Sequence, residues 1–333
     1  MLRHIIERIA QALIVLFGIT ALCFVILHST GDPAAVMLPE SATQSDYQEI
    51  RERMGFDRPL PEQFVTYMAN AARLDFGVSF HQHQPAMKIV LARLPATIEL
   101  ALVAFLIALV IALPVGIVSA THRNTAVDYG AMSSALAGQS MPNFWLGLIL
   151  IMVFSLWLGW LPTSQRITHG LEAQATTSFY LFEGMVRFNW ALFSDAALHI
   201  LLPAVTAGLY SSARLTRLVR SSMLEVLSED YVRTARAKGL AEHVVVNVHA
   251  LKNAAIPLTT MAGIELGLLL GGTVVTETVF SWPGIGMLTM QALQNDDFPV
   301  IQAAVFLLAF IFVLMNLLVD LAYAWLDPRI RYG

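Results

Sequence analysis

Residues 228–240 read SEDYVRTARAKGL, a polar stretch in a chain of 333 residues that is 56% hydrophobic and only 13% charged. Ser228 is a suitable N-cap, and two acidic residues follow it in the first turn, where the helix dipole favours negative charge. Gly239 stands after the last turn, where a left-handed C-cap is favoured. These signals predict a short, stiff helix at the surface of the protein. A solvated loop that only joins two elements is the alternative.

A side-chain pair and a second helix are expected to stiffen this polar segment. Glu229 can pair with Arg233 four residues later. Beyond Gly239, apolar residues repeat at helical spacing and predict a second short helix: Val244, Val248, Leu251 and Ala255. Two short helices with a glycine between them would form a surface knob.

Glu265 is the single charge in the apolar run 254–276. An ionisable group inside a membrane span is costly and usually faces protein or water. Gly263, Gly267 and Gly271 form a small-residue seam suited to close helix packing. Glu265 points roughly 160° away from the centre of that seam at about 100° per residue. Glu265 is therefore expected either on a polar path through the membrane or as a buried carboxyl hydrogen-bonded to another span.

The remaining polar groups suggest no catalytic set. Asp296-Asp297 has no histidine or metal-ligand partner nearby in sequence. His81-Gln82-His83 offers two imidazoles, an incomplete set for a metal, so a polar loop is expected and no metal is assigned. Cys23, the single cysteine, lies in an apolar run and is expected to pack.

No phosphate-binding loop is present, because the lysines are followed by Ile89, Gly239 and Asn253 rather than by Ser or Thr. The chain is therefore not expected to be an enzyme or to bind a cofactor of its own. Energy for any work must come from a partner or from a gradient.

Long uncharged runs must position these residues, and they identify a multispanning membrane protein. Six spans are predicted: Ile9 to Leu27, Leu100 to Thr121, the run 129–165 divided at Pro142 and Asn143, Ala196 to Ala213, Ala254 to Thr276, and Phe298 to Val319. The net charge of -4 and the lack of a basic patch with aromatic residues exclude a nucleic-acid partner. The fold class is all-α.

Basic residues predict the orientation. Twelve of the 20 lie on one side if both termini are cytosolic: Arg3, Arg8, Arg123, Arg214, Arg217, Arg220, Arg233, Arg236, Lys238, Lys252, Arg329 and Arg331. Six of the other eight fall in one long segment, which counts little in the positive-inside rule. The predicted organisation is a first span (1–28), an exported segment (29–95) and a five-helix core (96–333) with a cytosolic loop (215–255).

The polar segment resembles the EAA coupling loop of permeases in bacterial binding-protein-dependent ABC importers. Aligned on Gly239, the chain has Arg233-Thr234-Ala235 where the general pattern has Glu-Ala-Ala. "EDYVRTARAKGL" and "HALKNAAIP" are instead similar to the peptide and nickel branch. Further matches are "GDP" at 31–33, "DFGVS" at 75–79, "RLPATIEL" at 93–100, "SMPNFW" at 140–145, "RSSMLEVL" at 220–227, "FSWPGIG" at 280–286 and "DPRIR" at 327–331. The chain thus resembles the B-type permease of dipeptide, oligopeptide, glutathione and nickel importers.

This resemblance implies a type I importer permease (MetI-like) fold in the bacterial inner membrane, with both termini cytosolic. It implies a second, C-type permease, two ABC ATPases that bind the ATP, a periplasmic or lipid-anchored binding protein, and membrane lipid as partners. The ATPase-coupling interface would comprise Glu229, Asp230, Tyr231, Arg233, Thr234, Ala235, Arg236, Ala237, Lys238 and Gly239. Trp282-Pro283-Gly284 is expected to form a rigid turn and interfacial anchor, or to contact the binding protein.

The cargo and the energy source keep alternatives at this stage. Dipeptides or short oligopeptides are the first expectation, and nickel or another metal chelate is the second. A secondary transporter driven by an ion gradient is the competing class, although such proteins usually show inverted repeats, and none is evident here. The outer segment 160–197 suggests no function.

Overall fold

The computed structural model describes residues 2–29, 43–54 and 57–326, and in these ranges the chain is mostly helical. The only extended pairing among them is an isolated bridge between Val78 and Pro85. The predicted all-α class is therefore confirmed. The motifs GDP and DPRIR, at 31–33 and 327–331, lie outside the described residues.

The helices follow one another in the order of the chain. They are α1 (Leu2–Ser29), α2 (Gln44–Met54), α3 (Leu60–Ala72), α4 (Ala86–Thr121), α5 (Ala126–Ser140), α6 (Asn143–Leu150), α7 (Tyr180–Val186), α8 (Trp190–Leu227), α9 (Asp230–Ala237), α10 (Glu242–Val244), α11 (Leu251–Gly272), α12 (Val274–Val279), α13 (Ile285–Gln294) and α14 (Phe298–Leu326). Two π-helical stretches, Ile151–Trp157 and Val245–Ala250, continue α6 and join α10 to α11. A 3-10 turn occupies Leu171–Gln174.

Four of the described helices are long and apolar enough to cross a membrane: α1, α4, α8 and α14. Two bent pairs pass the same test: Ala126–Ser140 with Asn143–Trp157 at 99°, and Glu242–Ala255 with Pro257–Gly272 at 60°. The six predicted spans are therefore present when each bent pair counts as one. Helices suit this setting because they satisfy their backbone groups internally. The second span begins at Ala86, earlier than the predicted core boundary at 96.

The bundle is built around α4 and α8, which pack in parallel. Gly116 of α4 lies against Val219 and Thr216 of α8, and Gly208 of α8 lies against the backbone of Ala104 of α4. The two contacts have nearly the same difference in residue number, which shows that the helices run in the same direction. The absence of side chains at these two glycines allows the close approach. Helix α11 runs antiparallel to them and α14 antiparallel to α11. The amino ends of α4 and α8 consequently lie at one end of the molecule, and α9 lies at the other.

The predicted second short helix after Gly239 is present as Glu242–Ala255, which is bent by 60° from Pro257–Gly272. The face that it was predicted to bury is wrong, because residues 245–250 are π-helical. Because a π turn contains more residues than an α turn, the buried face shifts. Val245 and Ala250 are fully buried, whereas Val248, a member of the predicted stripe, is 56% exposed.

Candidate functional site

The polar segment 228–240 forms α9 and the turn that ends it. Glu229 is the N-cap, while Ser228 caps the carboxyl end of α8 and donates its hydroxyl to Glu225 O. The predicted N-cap was therefore one residue early, because α8 continues almost to the start of α9. Arg233 pairs with Asp230 at 3.1 Å rather than with Glu229. This contact is exposed and contributes little stability.

Gly239 has a φ of +76°, which confirms the predicted left-handed C-cap. The N–H of Leu240 donates to Ala235 O at 3.4 Å and the N–H of Gly239 donates to Arg236 O at 2.9 Å. These two bonds form a Schellman motif, which satisfies carbonyls at the end of α9. An added Cβ at Gly239 would meet nothing within 4 Å among the described residues. The requirement for glycine is thus conformational.

Contacts on both sides of the turn fix α9 to its neighbours. Val232, Ala235 and Val245 form a buried cluster, against which Leu227 at the end of α8 packs. Arg236 forms a two-pronged ion pair with Glu242 across the turn, at 2.6 and 3.1 Å. These contacts join α9 both to α8 and to the helix that leads into α11.

A further hydrogen bond ties α9 to α11, and the rest of α9 faces outward. Asn253 Nδ2 donates to the Tyr231 hydroxyl at 2.8 Å. Of the ten predicted contact residues, only Ala235 is buried. The polar segment is therefore an exposed projection that is held against the ends of α8 and α11.

Glu265 is fully buried and binds Arg214 of α8, with Nη2 to Oε2 at 2.8 Å. The Arg214 guanidinium also lies over the Tyr210 ring, 4.9 Å from its centroid. Arg214 is the partly exposed member of the pair, with 27% of its side chain accessible. Sequence reasoning counted Arg214 only as a cytosolic charge, and so missed that it partners Glu265.

The glycine seam of α11 faces α14 rather than α8. An added Cβ at Gly263 would collide with Val319, and one at Gly267 would lie 3.5 Å from Phe312. At Gly271 it would meet nothing within 4 Å in the described part of the chain. Close packing thus involves Gly263 and Gly267, on a face of α11 different from that of Glu265.

A buried carboxylate, Glu277, organises the amino end of α4. Its oxygens accept hydrogen bonds from Thr97 Oγ1 at 2.9 Å and Thr273 Oγ1 at 3.0 Å, and from the Met287 N–H at 3.0 Å. An added Cβ at Gly284 would collide with this carboxylate. The motifs at 93–100 and 280–286 are therefore two halves of one structure, and Glu277 is the residue that the sequence reading missed.

Trp282 extends the same structure and corrects an expectation. The predicted interfacial anchor is instead 1% exposed, and its indole N–H donates to Ala96 O at 2.9 Å. Arg166 lies over this indole, 5.7 Å from its centroid, and pairs with Glu99 at 2.6 Å. We call these residues the amino-end cluster: Thr97, Glu99, Arg166, Glu277 and Trp282. Arg166 gives a structural role to part of the segment 160–197.

A third ion pair joins α5 to α8 near the other end of the bundle. Arg220 binds both oxygens of Asp128 at 2.7 Å, and Ser119 of α4 donates to the same carboxylate. The motif at 220–227 is thereby connected to the bent α5–α6 pair.

The remaining candidate groups join local loop structure. His81 Nε2 lies 2.7 Å from Asn295 O, and Asp297 accepts hydrogen bonds from Ser79 Oγ and the Phe80 N–H. Across residues 2–29, 43–54 and 57–326, no group of three or more His, Cys, Asp or Glu could hold a metal ion.

Comparison with known families identifies two matches that together cover almost the whole chain. Residues 112–332 match the family model described as "Binding-protein-dependent transport system inner membrane component". Residues 1–101 match the model for the amino-terminal part of the same kind of membrane component.

Curated relatives extend over the full length. The chain is 42% identical over 334 residues to the "Di/tripeptide transport system permease protein DppB" of Pseudomonas aeruginosa (strain UCBPP-PA14), covering 100% of this chain and 99% of the relative. It is 39% identical to the "Dipeptide transport system permease protein DppB" of Escherichia coli (strain K12), with 100% and 99% coverage. It is also 39% identical to the "Oligopeptide transport system permease protein AppB" of Bacillus subtilis (strain 168), with 100% coverage of both.

A solved structure shares the fold. A chain of the methionine ABC transporter MetNI, in an inward-facing conformation, superposes with a TM-score of 0.54 at 17% identity, covering 72% of this chain and 97% of that one. At this identity the match supports the architecture alone, which is that of an ABC importer permease.

Proposed function

The chain belongs to the inner membrane components of binding-protein-dependent transport systems, and we propose that it forms, with a second permease, the membrane path for dipeptides or short oligopeptides. The observation that carries the cargo assignment is the full-length identity of about 40% to permeases named for di-, tri- and oligopeptide transport. The fold and the family establish an importer permease in a bacterial inner membrane. They also imply membrane, ATPase and binding-protein partners as a class.

We further propose that the exposed face of α9 docks an ATPase subunit. A lever must be rigid and must be joined to the elements that it moves. The Schellman turn at Gly239 and the Arg236–Glu242 pair meet the first requirement. The direct continuation of α8 into α9 and the contacts to α11 meet the second. Two permeases and two ATPases would then form a heterotetramer, served by a periplasmic or lipid-anchored binding protein.

The orientation follows from this docking. With α9 cytosolic, both termini are cytosolic and the amino-end cluster faces outward. Labelling of cysteines placed one at a time at Gly333 and Asp46, each in a Cys23→Ser background, tests this topology in intact cells. Asp46→Cys is expected to react with an impermeant reagent, and Gly333→Cys is expected to react only after lysis. Reaction of Gly333→Cys in intact cells would refute the arrangement.

We also propose that the Arg214–Glu265 pair borders the transport path. Glu265 itself is fully enclosed, so the accessible part of Arg214 is the surface that would meet cargo. A buried pair that only joins α8 to α11 is the alternative.

Uptake by the complete importer in liposomes tests the proposed function. Both permeases, both ATPases and the peptide-binding protein are reconstituted, and uptake of a labelled dipeptide is measured with ATP at the ATPase face. We expect uptake to require ATP hydrolysis, to compete with unlabelled tripeptide and to be insensitive to nickel. Catalytically inactive ATPases are the control. Uptake driven by an ion gradient without ATPases, or competed by nickel rather than by peptides, would contradict the proposal.

A further inference from the structure

A polar pocket of about 330 Å³ opens beside the amino-end cluster. Its size lies in the range of about 300–1,000 Å³ that is typical of small-ligand sites. The first turns of α4, the segment after α6 and the Trp-Pro-Gly turn contribute its walls. The lining residues that matter here are Lys88, Arg93, Arg166, Ser178, Tyr180 and Pro283.

Among the described residues, those that line the pocket carry positive charge and no carboxylate. Lys88, Arg93 and Arg166 line it, and no Asp or Glu is among the lining residues. Glu99 neutralises Arg166 in part through its contact with Nη2, but it does not line the pocket. Lys88 and Arg93 make no ion pair with any described residue. Two cationic side chains therefore remain to attract an anion.

Arg166 is the buried cation in the pocket wall. Its side chain is only 7% exposed, and Nη2 donates to Glu99 and to the Ser178 carbonyl. The Tyr180 ring lies beneath the guanidinium, 4.5 Å from its carbon to the ring centroid. The Nε–H, however, has no hydrogen-bond partner in the described structure. A buried guanidinium donor left unpaired is costly, but this atom has almost no accessible surface, so Arg166 contributes to the pocket through its charge.

We propose that this pocket binds a carboxylate group. A carboxylate is planar, carries two acceptor oxygens and is the natural partner of guanidinium donors. Two sources present this group at the outer face. One is the carboxyl end of a peptide that enters the importer, and this source rests on the proposed function. The other is an acidic side chain of the binding protein that delivers cargo, and this source holds for any cargo.

The test compares charge removal at the pocket with equal charge removal elsewhere. Lys88→Met/Arg93→Met removes the two accessible cations and leaves the buried Arg166–Glu99 pair intact. Arg58→Met/Arg73→Met removes two exposed cations from the same exported segment, at the flanks of α3, and is the matched control. Both variants are studied in the complete importer in lipid nanodiscs, and assembly is verified by size-exclusion chromatography.

Two calorimetric experiments measure dissociation constants. The first compares trialanine with its carboxyl-terminal amide, both in the absence of binding protein. The second measures the binding of cargo-loaded binding protein to the importer. If the source is the peptide, the wild type is expected to prefer trialanine over its amide at least about tenfold, and the pocket variant to lose that preference. If the source is the binding protein, its dissociation constant is expected to rise about tenfold in the pocket variant alone.

Either result supports the carboxylate site. The site is refuted if the pocket variant matches the Arg58→Met/Arg73→Met control in both measurements. The carboxylate site can be tested even if the peptide cargo is wrong. An importer that takes up no peptide in the liposome assay can still show weaker docking of the binding protein in the pocket variant.

Discussion

Three ion pairs join α4 and α8 to other elements, and the carboxyl group of each pair is buried. Glu99 binds Arg166, Glu265 binds Arg214, and Asp128 binds Arg220. A buried pair of this kind adds little net stability compared with apolar packing, but loss of one partner leaves an uncompensated charge. The pairs therefore specify which helices meet and at which height.

Replacement of Glu265 separates a role in the path from a structural role. Glu265→Gln leaves Arg214 without its counter-charge, and we expect a loss of roughly 3 kcal/mol, the lower end for a broken buried pair because Arg214 is 27% exposed. Differential scanning fluorimetry of the solubilised protein measures this loss. The double variant Arg214→Met/Glu265→Met removes both charges and is expected to recover most of the stability. Recovered stability with lost uptake supports the path, and recovered stability with normal uptake supports the structural alternative.

Glu183, in the segment 160–197, predicts a pH dependence. Hydrogen bonds lower the pKa of this carboxyl to about 2 from its ordinary value near 4.5. The largest effect comes from the Thr177 hydroxyl, and the next largest comes from the Thr176 N–H. Its stabilising effect is therefore complete above pH 4.5 and is lost as the pH falls towards 2. We expect the Thr176 and Thr177 amides to be less protected from hydrogen exchange at pH 3 than at pH 7. Protection is measured at each pH relative to the exchange rate of the unfolded chain. Glu183→Gln is the control and should remove this difference; an unchanged difference would contradict the assignment.

Each helix of this protein presents different faces to different neighbouring helices. Helix α11 presents Glu265 to α8 and the glycine seam to α14. Apolar length and small-residue spacing in the sequence predicted the spans and the close packing. The partner of each face could not be predicted, because partners are distant in sequence and one span gives no information on its neighbours. Arg214, Arg166 and Glu277 were missed for this reason.

Gly263→Leu tests the contact between α11 and α14. A side chain at this position collides with Val319, and overpacking of this kind costs about 1–3 kcal/mol. We expect a lower yield of assembled importer and a lower melting temperature. Gly271→Leu lies on the same seam, where an added Cβ meets no described atom within 4 Å, and is the matched control. Equal effects of both variants would show that the seam is not a packing contact.

At the scale of the whole molecule, the same helices join two ends with different structures, the amino-end cluster at one and α9 at the other. Helices α4 and α8 begin at the amino-end cluster, and α8 continues to α9 at the opposite end. Local signals in the sequence were sufficient to predict the Gly239 turn. The buried face of residues 242–255 was not predictable from an α-helical period, since the π-helical stretch changes the period. Because α9 contacts Leu227 of α8 and Asn253 of α11, we expect a displacement of α9 to reach both helices.

Gly239→Val tests this transmission in the complete importer. The left-handed conformation costs roughly 1–2 kcal/mol for a residue with a Cβ, so the turn is expected to reorient and α9 with it. Because no described atom lies within 4 Å of the added Cβ, the effect arises from the backbone and not from a collision. A shift of that size corresponds to about a 5- to 30-fold loss of the coupled arrangement. We expect peptide uptake, and stimulation of ATP hydrolysis by loaded binding protein, to fall by this factor in liposomes.

Gly239→Asn is the matched control. It also adds a side chain, but asparagine tolerates the left-handed region, so this variant should retain most of the coupling. Copurification of the ATPases shows whether docking or transmission is lost. If Gly239→Val transports as well as Gly239→Asn, α9 is a connector, and the drive must reach the spans by another contact.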